Sequence, residues 1–526
     1  MGKKDKKGKK GKGAEKTAAK TEKKLTAKQK KDLAAKGEDD IESILAQIEA
    51  EDRKRVEVVE HVVDPPSRRI NFSLVAHPEK EELILFGGEY FNGQTTMLNN
   101  DMFVYNIPRN EWKILKAPAG APPRSAHQMV AVAANKGQLW VFGGEYASPT
   151  QSQFYHYKDL WVYHIAAKKW EKINAPGGPS ARSGHRMVCV RKHLVVFGGF
   201  HDNLRDCKYF NDVYAFDLEN YTWKKIVPTG TPPAPRSACQ MIPLADGKIL
   251  VSGGYSKERV KKDVEKGTVH TDMFLLSPEK HDQTFLKWKW QPIKQGGMKP
   301  SPRCGMAITI GAANKAYAFG GVFDTEEDEE NLAGVFFNDL YVLDTERTSW
   351  RTVTLSGKKD TAAPSRRRRK PKEGDDMDCE DDSEGSDNEA EMEVETPTVT
   401  TISDDGVFTV TVGPALTQAT SSDSQETGTV ANIFVPSPRS SCGLVVKHGV
   451  LYLFGGMKED GDRQFTYNDF YSLDLHKLNE WKIIIPNDQS SEEWFASDSE
   501  EGSDDSEGSD SDSDSEDEDE DDMDVE

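Results

Sequence analysis

Short apolar runs recur along the chain, and six of them end in a pair of glycines. The six copies are Leu85-Phe86-Gly87-Gly88, Val141-Phe142-Gly143-Gly144, Val196-Phe197-Gly198-Gly199, Val251-Ser252-Gly253-Gly254, Ala318-Phe319-Gly320-Gly321 and Leu453-Phe454-Gly455-Gly456. Each copy is followed by an aspartate next to an apolar or aromatic residue, and then by a tryptophan. Apolar runs of this length, bounded by turn signals, predict strands rather than helices.

Each repeat unit contains four such runs. A turn ending in arginine, usually as Pro-Arg, leads into the first run, and the second run ends at the glycine pair. The third run begins after Asp101, Asp159, Asp212, Asp272, Asp339 or Asp469. The fourth begins at Trp112, Trp170, Trp223, Trp290, Trp350 or Trp481. Six units of four short antiparallel strands predict an all-β protein, a six-bladed β-propeller.

The spacing of the glycine pairs supports this count. Successive first glycines lie 56, 55, 55, 67 and 135 residues apart. The longer fourth interval contains an insertion at Glu258–Lys266, and the fifth contains a low-complexity interruption at about 357–435. A repeat of about 50 residues is the period of a kelch propeller blade.

These motifs resemble the kelch-repeat family, which is marked by the glycine pair, a third-strand aromatic residue and a fourth-strand tryptophan. The resemblance covers about 69–356 and 436–486, and the fourth unit departs most, with Ser252 before its glycines. More narrowly, the lysine-rich start and the string from Glu82 to Gln94 resemble one group of kelch domain-containing proteins. The resemblance implies a kelch propeller, and kelch proteins commonly capture acidic or C-terminal peptides on one face.

Charge divides the chain into blocks. The net charge is −21, but residues 1–36 hold 15 Lys against 4 acids, and residues 497–526 hold 18 acids with no Lys or Arg. Such tails bury too little apolar surface to fold. The predicted domains are a disordered Lys-rich tail (1–37), a short amphipathic helix (38–55), blades 1–5 (65–356), the insertion (357–435), blade 6 (436–486) and a disordered acidic tail (487–526). The helix either docks on the domain edge or binds a partner, and Val56–Val63 could add an outer strand.

Function is expected on one face of the propeller. In an up-and-down blade, the loop after the second strand opens on the same side as the turn between blades. Six arginines therefore form a predicted partner-binding ring: Arg69, Arg124, Arg182, Arg236, Arg303 and Arg439. Long variable loops on this face add predicted interface residues: Tyr90, Phe91, Tyr146, Phe154, Tyr155, Phe200, Tyr255 and Tyr467.

The arginines have two interpretations. Each could order its own turn by bonding carbonyl groups or the nearby aspartate, or several could bind the carboxylates or phosphates of a partner. In the second case, the acidic tail or the acidic block at 373–395 could occupy the ring and mask it.

The sequence predicts no catalytic residues, no cofactor and no metal site. His127 and His185 lie at equivalent positions, but the fourth, fifth and sixth units place Cys239, Met306 and Cys442 there, which indicates a shared packing position. No phosphate-binding glycine loop or nucleophile elbow is present. The six cysteines form no CxxC pair, which argues against a disulfide framework and favours a reducing compartment.

The preferred hypothesis is a monomeric, intracellular protein-interaction scaffold, cytoplasmic or nuclear, with no membrane association. One alternative is a substrate receptor of a ubiquitin ligase, and another is a ribosome- or chromatin-associated factor that uses its charged tails. Nucleic acid is expected only at the basic N-terminal tail. Six serines with an acid three residues downstream are candidate phosphorylation sites: Ser386, Ser497, Ser509, Ser511, Ser513 and Ser515.

Overall fold

The structure is a computed structural model that describes Lys31, Leu33 and residues 36–54, 57–203, 206–261, 264–282, 284–328, 331–357 and 433–495. The chain divides into two compact units. The first comprises Met1–Gly357 and Ile433–Glu526, and the second is Lys358–Asn432. The second unit lies outside the described residues, and so do most of the Lys-rich tail, the acidic tail beyond Phe495 and all six candidate phosphorylation sites. Among the described residues, no helix is long and apolar enough to cross a membrane.

The chain forms six antiparallel four-stranded blades, which confirms the predicted six-bladed, all-β propeller. Blades 1 to 3 are built from Ser73–Ala76, Glu82–Phe86, Met102–Asn106 and Glu111–Lys116; Gln128–Val132, Gln138–Phe142, Leu160–His164 and Lys169–Ile173; and Arg186–Val190, His193–Phe197, Val213–Asp217 and Thr222–Ile226. Blades 4 to 6 are built from Gln240–Pro243, Ile249–Ser252, Met273–Pro278 and Trp288–Ile293; Ala307–Ile310, Lys315–Phe319, Leu340–Asp344 and Ser349–Thr352; and Gly443–Lys447, Val450–Phe454, Phe470–Asp474 and Trp481–Ile485.

The predicted variable loops between the second and third strands are themselves two-stranded hairpins. Their strands are Glu89–Phe91 with Thr96–Leu98, Glu145–Ala147 with Phe154–His156, Phe200–Asn203 with Asp206–Tyr209, Tyr255–Lys261 with Val264–Val269, Val322–Asp328 with Asn331–Phe336, and Met457–Asp460 with Arg463–Thr466. Pairing satisfies the backbone donors and acceptors that an irregular loop would expose.

Three blades carry an extra outer strand. Val59–Val63 pairs antiparallel with the fourth strand of blade 1, in register from Val59 opposite Lys116 to Val63 opposite Trp112. The two-residue strands Thr229–Gly230 and Gly296–Gly297 pair parallel with the fourth strands of blades 4 and 5. The described helical elements of the folded unit are an N-terminal helix, Ile41–Arg53, and one 3₁₀ turn, Ala134–Lys136.

The apolar core is divided into six clusters, and each cluster is shared by two neighbouring blades. At five of the six junctions, a tryptophan near the start of a fourth strand packs against the phenylalanine before the glycine pair of the preceding blade. The ring-centroid distance is 5.3 Å for Phe86–Trp170 and 5.4 Å for Phe197–Trp290. No strand ladder runs between the described blades. Side-chain packing and single backbone hydrogen bonds therefore hold neighbouring blades together.

The glycine pairs are required by this contact between blades. Gly87 and Gly88 have φ of 70° and 95°, and a Cβ on Gly87 would lie 2.7 Å from the carbonyl oxygen of Arg124 in the next blade. The N–H of Gly88 donates to that same oxygen at 2.9 Å. An L-residue would meet both an unfavourable φ and a clash with backbone.

The ring closes between blades 6 and 1 without strand exchange. Phe72 packs edge to face on Phe454 with centroids 5.6 Å apart, and Lys447 Nζ donates to the His77 carbonyl at 2.9 Å. The N–H of Gly456 donates to the Arg69 carbonyl, and the equivalent bond is present at four of the other five junctions. All four strands of each blade come from one continuous stretch of chain.

We expect Trp290→Ala to lower the free energy of unfolding by about 3–5 kcal/mol, because Trp290 is 2% exposed and fills the core between blades 3 and 4. Chemical denaturation followed by circular dichroism measures the loss. Val227→Ala is the control, because Val227 is 78% exposed and its loss should change stability by about 0.5 kcal/mol or less. Equal losses in the two variants would contradict the packing role.

Candidate protein-interaction face

Six hairpins and six arginine-containing turns share one side of the propeller, which we call the hairpin face. In every blade, the residue after the arginine forms an isolated antiparallel bridge with the first residue of the hairpin: Ile70 with Glu89, Ser125 with Glu145, Ser183 with Phe200, Ser237 with Tyr255, Cys304 with Val322 and Ser440 with Met457. The two kinds of connection therefore lie together, as the strand order predicts.

The six arginines are buried beneath this face, and each pairs with the aspartate of its own blade. The Nη1-to-Oδ1 distances are 2.9 Å for Arg69–Asp101, 2.9 Å for Arg124–Asp159, 2.6 Å for Arg182–Asp212, 2.5 Å for Arg236–Asp272, 2.5 Å for Arg303–Asp339 and 2.5 Å for Arg439–Asp469. The exposed fraction of these arginines is between 0% and 6%. Burial alone would raise the pKa of Asp159, but the charge and hydrogen bonds of Arg124 outweigh it and lower that pKa.

The remaining guanidinium donors are also used within the blade. Nη1 of Arg124 donates to the Gly143 carbonyl at 3.0 Å, and its Nε donates to the Pro122 carbonyl at 3.1 Å. The same bonds recur in the other five blades. In four blades an aromatic ring covers the guanidinium, with Cζ-to-centroid distances of 4.1 Å for Tyr157, 4.1 Å for Phe210, 3.6 Å for Phe337 and 4.2 Å for Tyr467.

These contacts favour the interpretation in which each arginine orders its own turn. Each guanidinium is buried and makes at least four hydrogen bonds within its own blade, so little of its donor capacity is left for a partner. Partner binding by the six arginines stays a prediction, and their burial favours the turn-ordering role.

The eight predicted interface aromatics separate by exposure. Phe154 and Tyr155 are exposed, at 50% and 38%. Tyr90, Phe91, Phe200 and Tyr255 are half-buried on the hairpins. Tyr146 and Tyr467 are 7% and 4% exposed, so they are not available to a partner in this state. Tyr467 is the ring stacked on Arg439, and Tyr146 is covered by the N-terminal helix.

The N-terminal helix docks on the hairpins of blades 1 and 2. Leu45 is buried against Tyr146 and Tyr157, and the other apolar residues of the helix pack beside it, namely Ile41, Ile44 and Ile48. Asp40 caps the helix by accepting the Glu42 N–H. The predicted amphipathic helix is present, and its apolar side is already occupied by the propeller.

Glu38 anchors the chain just before this helix. Its carboxylate accepts hydrogen bonds from Ser148 Oγ at 3.0 Å, from the Thr150 N–H at 3.1 Å and from Gln153 Nε2 at 3.3 Å. Together, these bonds hold the pKa of Glu38 below its ordinary value against the opposing effect of burial. The helix is thus fixed at its start to the hairpin of blade 2.

A second segment of the chain, which follows blade 6, also crosses the hairpin face. Residues 488–495, which we call the return segment, run from the last strand of blade 6 back to the hairpin of blade 1. Glu492 is buried and accepts the Thr466 N–H at 3.0 Å, and the Phe495 N–H donates to the Asn92 carbonyl at 2.9 Å. The predicted disordered tail from residue 487 therefore begins too early, because these polar and aromatic residues find partners on the hairpins.

A polar cluster lies where the hairpins of blades 1 to 3 start, and the sequence motifs did not point to it. His156 Nδ1 lies 2.7 Å from Ser183 Oγ and 3.4 Å from Glu145 Oε2, and its Nε2 accepts the Asp202 N–H at 3.1 Å. Asn71 Nδ2 donates to Glu89 Oε1 at 2.7 Å. The repeated string Gly-Gly-Glu-Tyr at Glu89 and Glu145 was the available signal.

Burial sets the charge of this cluster. It raises the pKa of Glu145 to about 8, with a further contribution from the nearby Glu89 carboxylate, and it lowers the pKa of His156 to about 4. Both groups are therefore neutral near pH 7. Glu145 and His156 therefore do not form a charged acid–base pair.

His127 and His185 fill positions between blades. Their rings pack edge to face on Phe86 and Phe142, with centroids 5.4 and 5.1 Å apart. Burial lowers the pKa of His127 to about 3. The described residues contain no group of three or more His, Cys, Asp or Glu arranged to hold a metal ion.

Comparison with known proteins supports the same class of fold. A family model described as the FBX42 β-propeller domain matches residues 69–277. N-(sulfonatooxy)prop-2-enimidothioate sulfolyase of Thlaspi arvense is 25% identical over 279 residues, 51% of this chain and 75% of that protein. Adagio protein 3 of Arabidopsis thaliana is 29% identical over 224 residues, 42% of this chain and 32% of that protein. Kelch domain-containing protein 1 of Homo sapiens is 28% identical over 259 residues, 45% of this chain and 57% of that protein.

The six blades make the chain a six-bladed β-propeller. Its repeat motifs and the relatives it matches are similar to those of kelch-repeat propellers. Propellers of this kind bind protein partners. The chain spans only about a third of the length of Adagio protein 3, so the activity of such whole proteins is not carried over.

We expect Asp469→Ala to lower the free energy of unfolding by about 3–5 kcal/mol, because it leaves the fully buried Arg439 unpaired. Asp272→Ala is the matched variant: Asp272 pairs with Arg236 but is 47% exposed, so water can replace its carboxylate and the loss should be smaller. Chemical denaturation of both variants checks the order. A larger loss for Asp272→Ala would contradict the role of burial.

Glu145→Gln should make stability less dependent on pH. The folded-state pKa of about 8 lies above the ordinary 4.5, so between these values the folded chain holds a proton that the unfolded chain releases. Stability contributed by this group is therefore lost as pH rises toward 8. Thermal unfolding at pH 6 and pH 8 should show a smaller decrease in Tm for Glu145→Gln than for wild type. The exposed-site variant Glu279→Gln should follow wild type.

Proposed function

We propose that this chain is a protein-interaction scaffold that binds a partner segment on the hairpin face. The observation that carries the proposal is that this face already binds two segments of the chain itself, the N-terminal helix and the return segment. Both are held by apolar contacts combined with hydrogen bonds to hairpin backbone and side chains, the combination that peptide-binding surfaces use.

Neither docked segment contacts the hairpins of blades 3, 4 and 5 in the hydrogen bonds and core contacts of the described residues, and we place the partner there. The two longest hairpins belong to the neighbouring blades 4 and 5, and their sequences differ in charge. Residues 257–266 of blade 4 hold five Lys or Arg against three acids, whereas residues 324–330 of blade 5 hold six acids and no base. An acidic partner segment would be attracted to blade 4 and oriented by repulsion from blade 5.

Masking of the blade 4 hairpin by the acidic segments of the chain itself is also part of this proposal. The acidic residues 497–526 follow directly after the return segment, which ends on the hairpin face. Those residues and the acidic block at 373–395 lie outside the described residues. They would compete with an acidic partner for blade 4, and salt would weaken that competition.

Other parts of the hypothesis remain proposals. The chain is proposed to be non-catalytic, monomeric and intracellular, with nucleic acid contacts confined to the Lys-rich tail. The sulfolyase activity in the name of the Thlaspi arvense protein is said of that relative alone. The narrower resemblance of the lysine-rich start and the string Glu82–Gln94 is to kelch domain-containing protein 4, and it adds no activity. A ubiquitin-ligase role would require an element that docks on the ligase. If the N-terminal helix is that element, it must leave Tyr146 and Tyr157.

Shortening the blade 4 hairpin tests the binding surface. Replacing Glu258–Lys266 by Asn-Gly keeps Lys257 opposite Gly267, and the two residues suit a tight hairpin turn. Affinity purification followed by mass spectrometry should show loss of acidic partner proteins from this variant. The matched control replaces residues 325–333 of blade 5 by Asn-Gly, which keeps Asp324 opposite Gly334 and removes acids instead of bases.

The control should retain those partners, and both variants should keep the wild-type circular dichroism spectrum. Full retention of partners by the folded blade 4 variant would move the binding surface elsewhere.

A further inference from the structure

The return segment lies in a groove between the hairpins of blades 1 and 6, and its contacts have the character of a bound peptide. It makes hydrogen bonds through backbone at three residues, Asp488, Glu493 and Phe495, and through side chains at Ser491 and Glu492. One aromatic ring, Trp494, packs on the blade 1 hairpin. The groove therefore contacts particular side chains of the return segment as well as its backbone.

Arg68 forms one wall of the groove. This arginine is buried, and its guanidinium donates to the Thr466 carbonyl at 3.0 Å, to the Asp488 carbonyl and to Ser491 Oγ at 2.9 Å. Its neighbour Arg69 is paired with Asp101 inside the blade, whereas Arg68 directs its donors at the return segment. Arg68 thus supplies the positive charge that a hydroxyl or a phosphorylated hydroxyl on a peptide would meet.

Glu492 fills an acid-binding position. Its side chain is fully buried, Oε1 accepts the Thr466 N–H at 3.0 Å, and Oε2 lies 3.7 Å from Arg463 Nη2. Burial raises the pKa of this carboxyl group. A backbone donor and an arginine at one buried position select an acidic side chain over an apolar one.

The blade 1 hairpin supplies the aromatic end of the groove. The Trp494 ring packs edge to face on Phe91 with centroids 5.8 Å apart, and Tyr90 Oη donates to the Glu493 carbonyl at 3.3 Å. Gly93 allows the close approach of the peptide, since a Cβ there would lie 2.1 Å from the Phe495 carbonyl oxygen. The side chain of Glu493, between the two anchor residues, is exposed.

We propose that this groove is a binding site for peptides of the form Ser-Glu-x-Trp, with an acid at the second position and an aromatic residue at the fourth. The chain fills the groove with its own residues 491–494, and a partner segment of the same chemistry occupies it when the return segment is displaced. This inference rests on the proposed scaffold function and names a second surface and its ligand class. The docked segment is tethered two residues beyond the last strand, so its local concentration is high and the groove is closed by default.

The test uses the full chain with Glu492→Ala and Trp494→Ala together, which loosens the return segment without removing it. A fluorescent synthetic peptide of residues 487–496 is titrated by anisotropy. The double variant should bind the peptide saturably, and wild type should bind it at least about tenfold more weakly because its groove is occupied. Equal binding by the two chains would overturn the proposal, because the peptide would then lie elsewhere.

Peptide variants test the anchors. Glu492→Ala or Trp494→Ala in the peptide should weaken binding to the double-variant chain by about tenfold or more, the effect typical of interface anchors. Glu493→Ala in the peptide is the matched control and should stay within about twofold, because that side chain is exposed. Equal weakening by all three would indicate non-specific attraction of an acidic peptide and would also overturn the proposal.

A second measurement covers the case in which the double variant is unstable. Hydrogen exchange on wild type, with and without excess peptide, should show faster exchange across 488–495 while the Thr466 amide stays protected, because the peptide replaces Glu492 as its acceptor. No change at high peptide concentration would mean that the segment only closes the ring. Such a result leaves the scaffold function standing, since that function is read from partner recovery in the blade 4 experiment.

Discussion

The buried arginine–aspartate pair is the interaction on which each blade depends. The guanidinium of Arg124, for example, bonds the turn between blades, the carbonyl of the first glycine and the aspartate before the third strand. The carbonyl of the same arginine accepts the N–H of a glycine in the preceding blade at five of the six junctions. A single residue type therefore fixes the geometry within a blade and the position of its neighbour. The cost of burying the charge is offset because each guanidinium makes at least four hydrogen bonds, including one to a carboxylate.

Much of the fold could be predicted from the sequence because the repeat is local. The glycine pairs, the aspartates and the tryptophans each mark a strand boundary, so strand count and order follow directly. The partner of Arg124 could not be chosen in this way, because Asp159 is 35 residues away and a carboxylate on another protein satisfies the same donors. The docking of Leu45 on Tyr146 and of Trp494 on Phe91 depends on surfaces that exist only after the blades assemble.

The hairpin face is a shared surface rather than an open one. The N-terminal helix covers part of blades 1 and 2, and the return segment covers the junction of blades 6 and 1, while the hairpins of blades 3 to 5 extend beside them. Binding at the covered parts must displace a segment of the same chain, whereas binding at blade 4 need not. In the proposed scaffold function, the two ends of the folded region determine which parts of the hairpin face a partner reaches.

The position of the insertion has a consequence for how the ring is assembled. Blade 6 follows residues 358–432 in sequence, and two apolar clusters of described residues hold it between blades 5 and 1. Its four strands are complete in themselves, and its contacts with both neighbours are non-covalent. A chain cleaved within the insertion would therefore remain associated as two fragments, with blade 6 acting as a subunit of a five-bladed remainder.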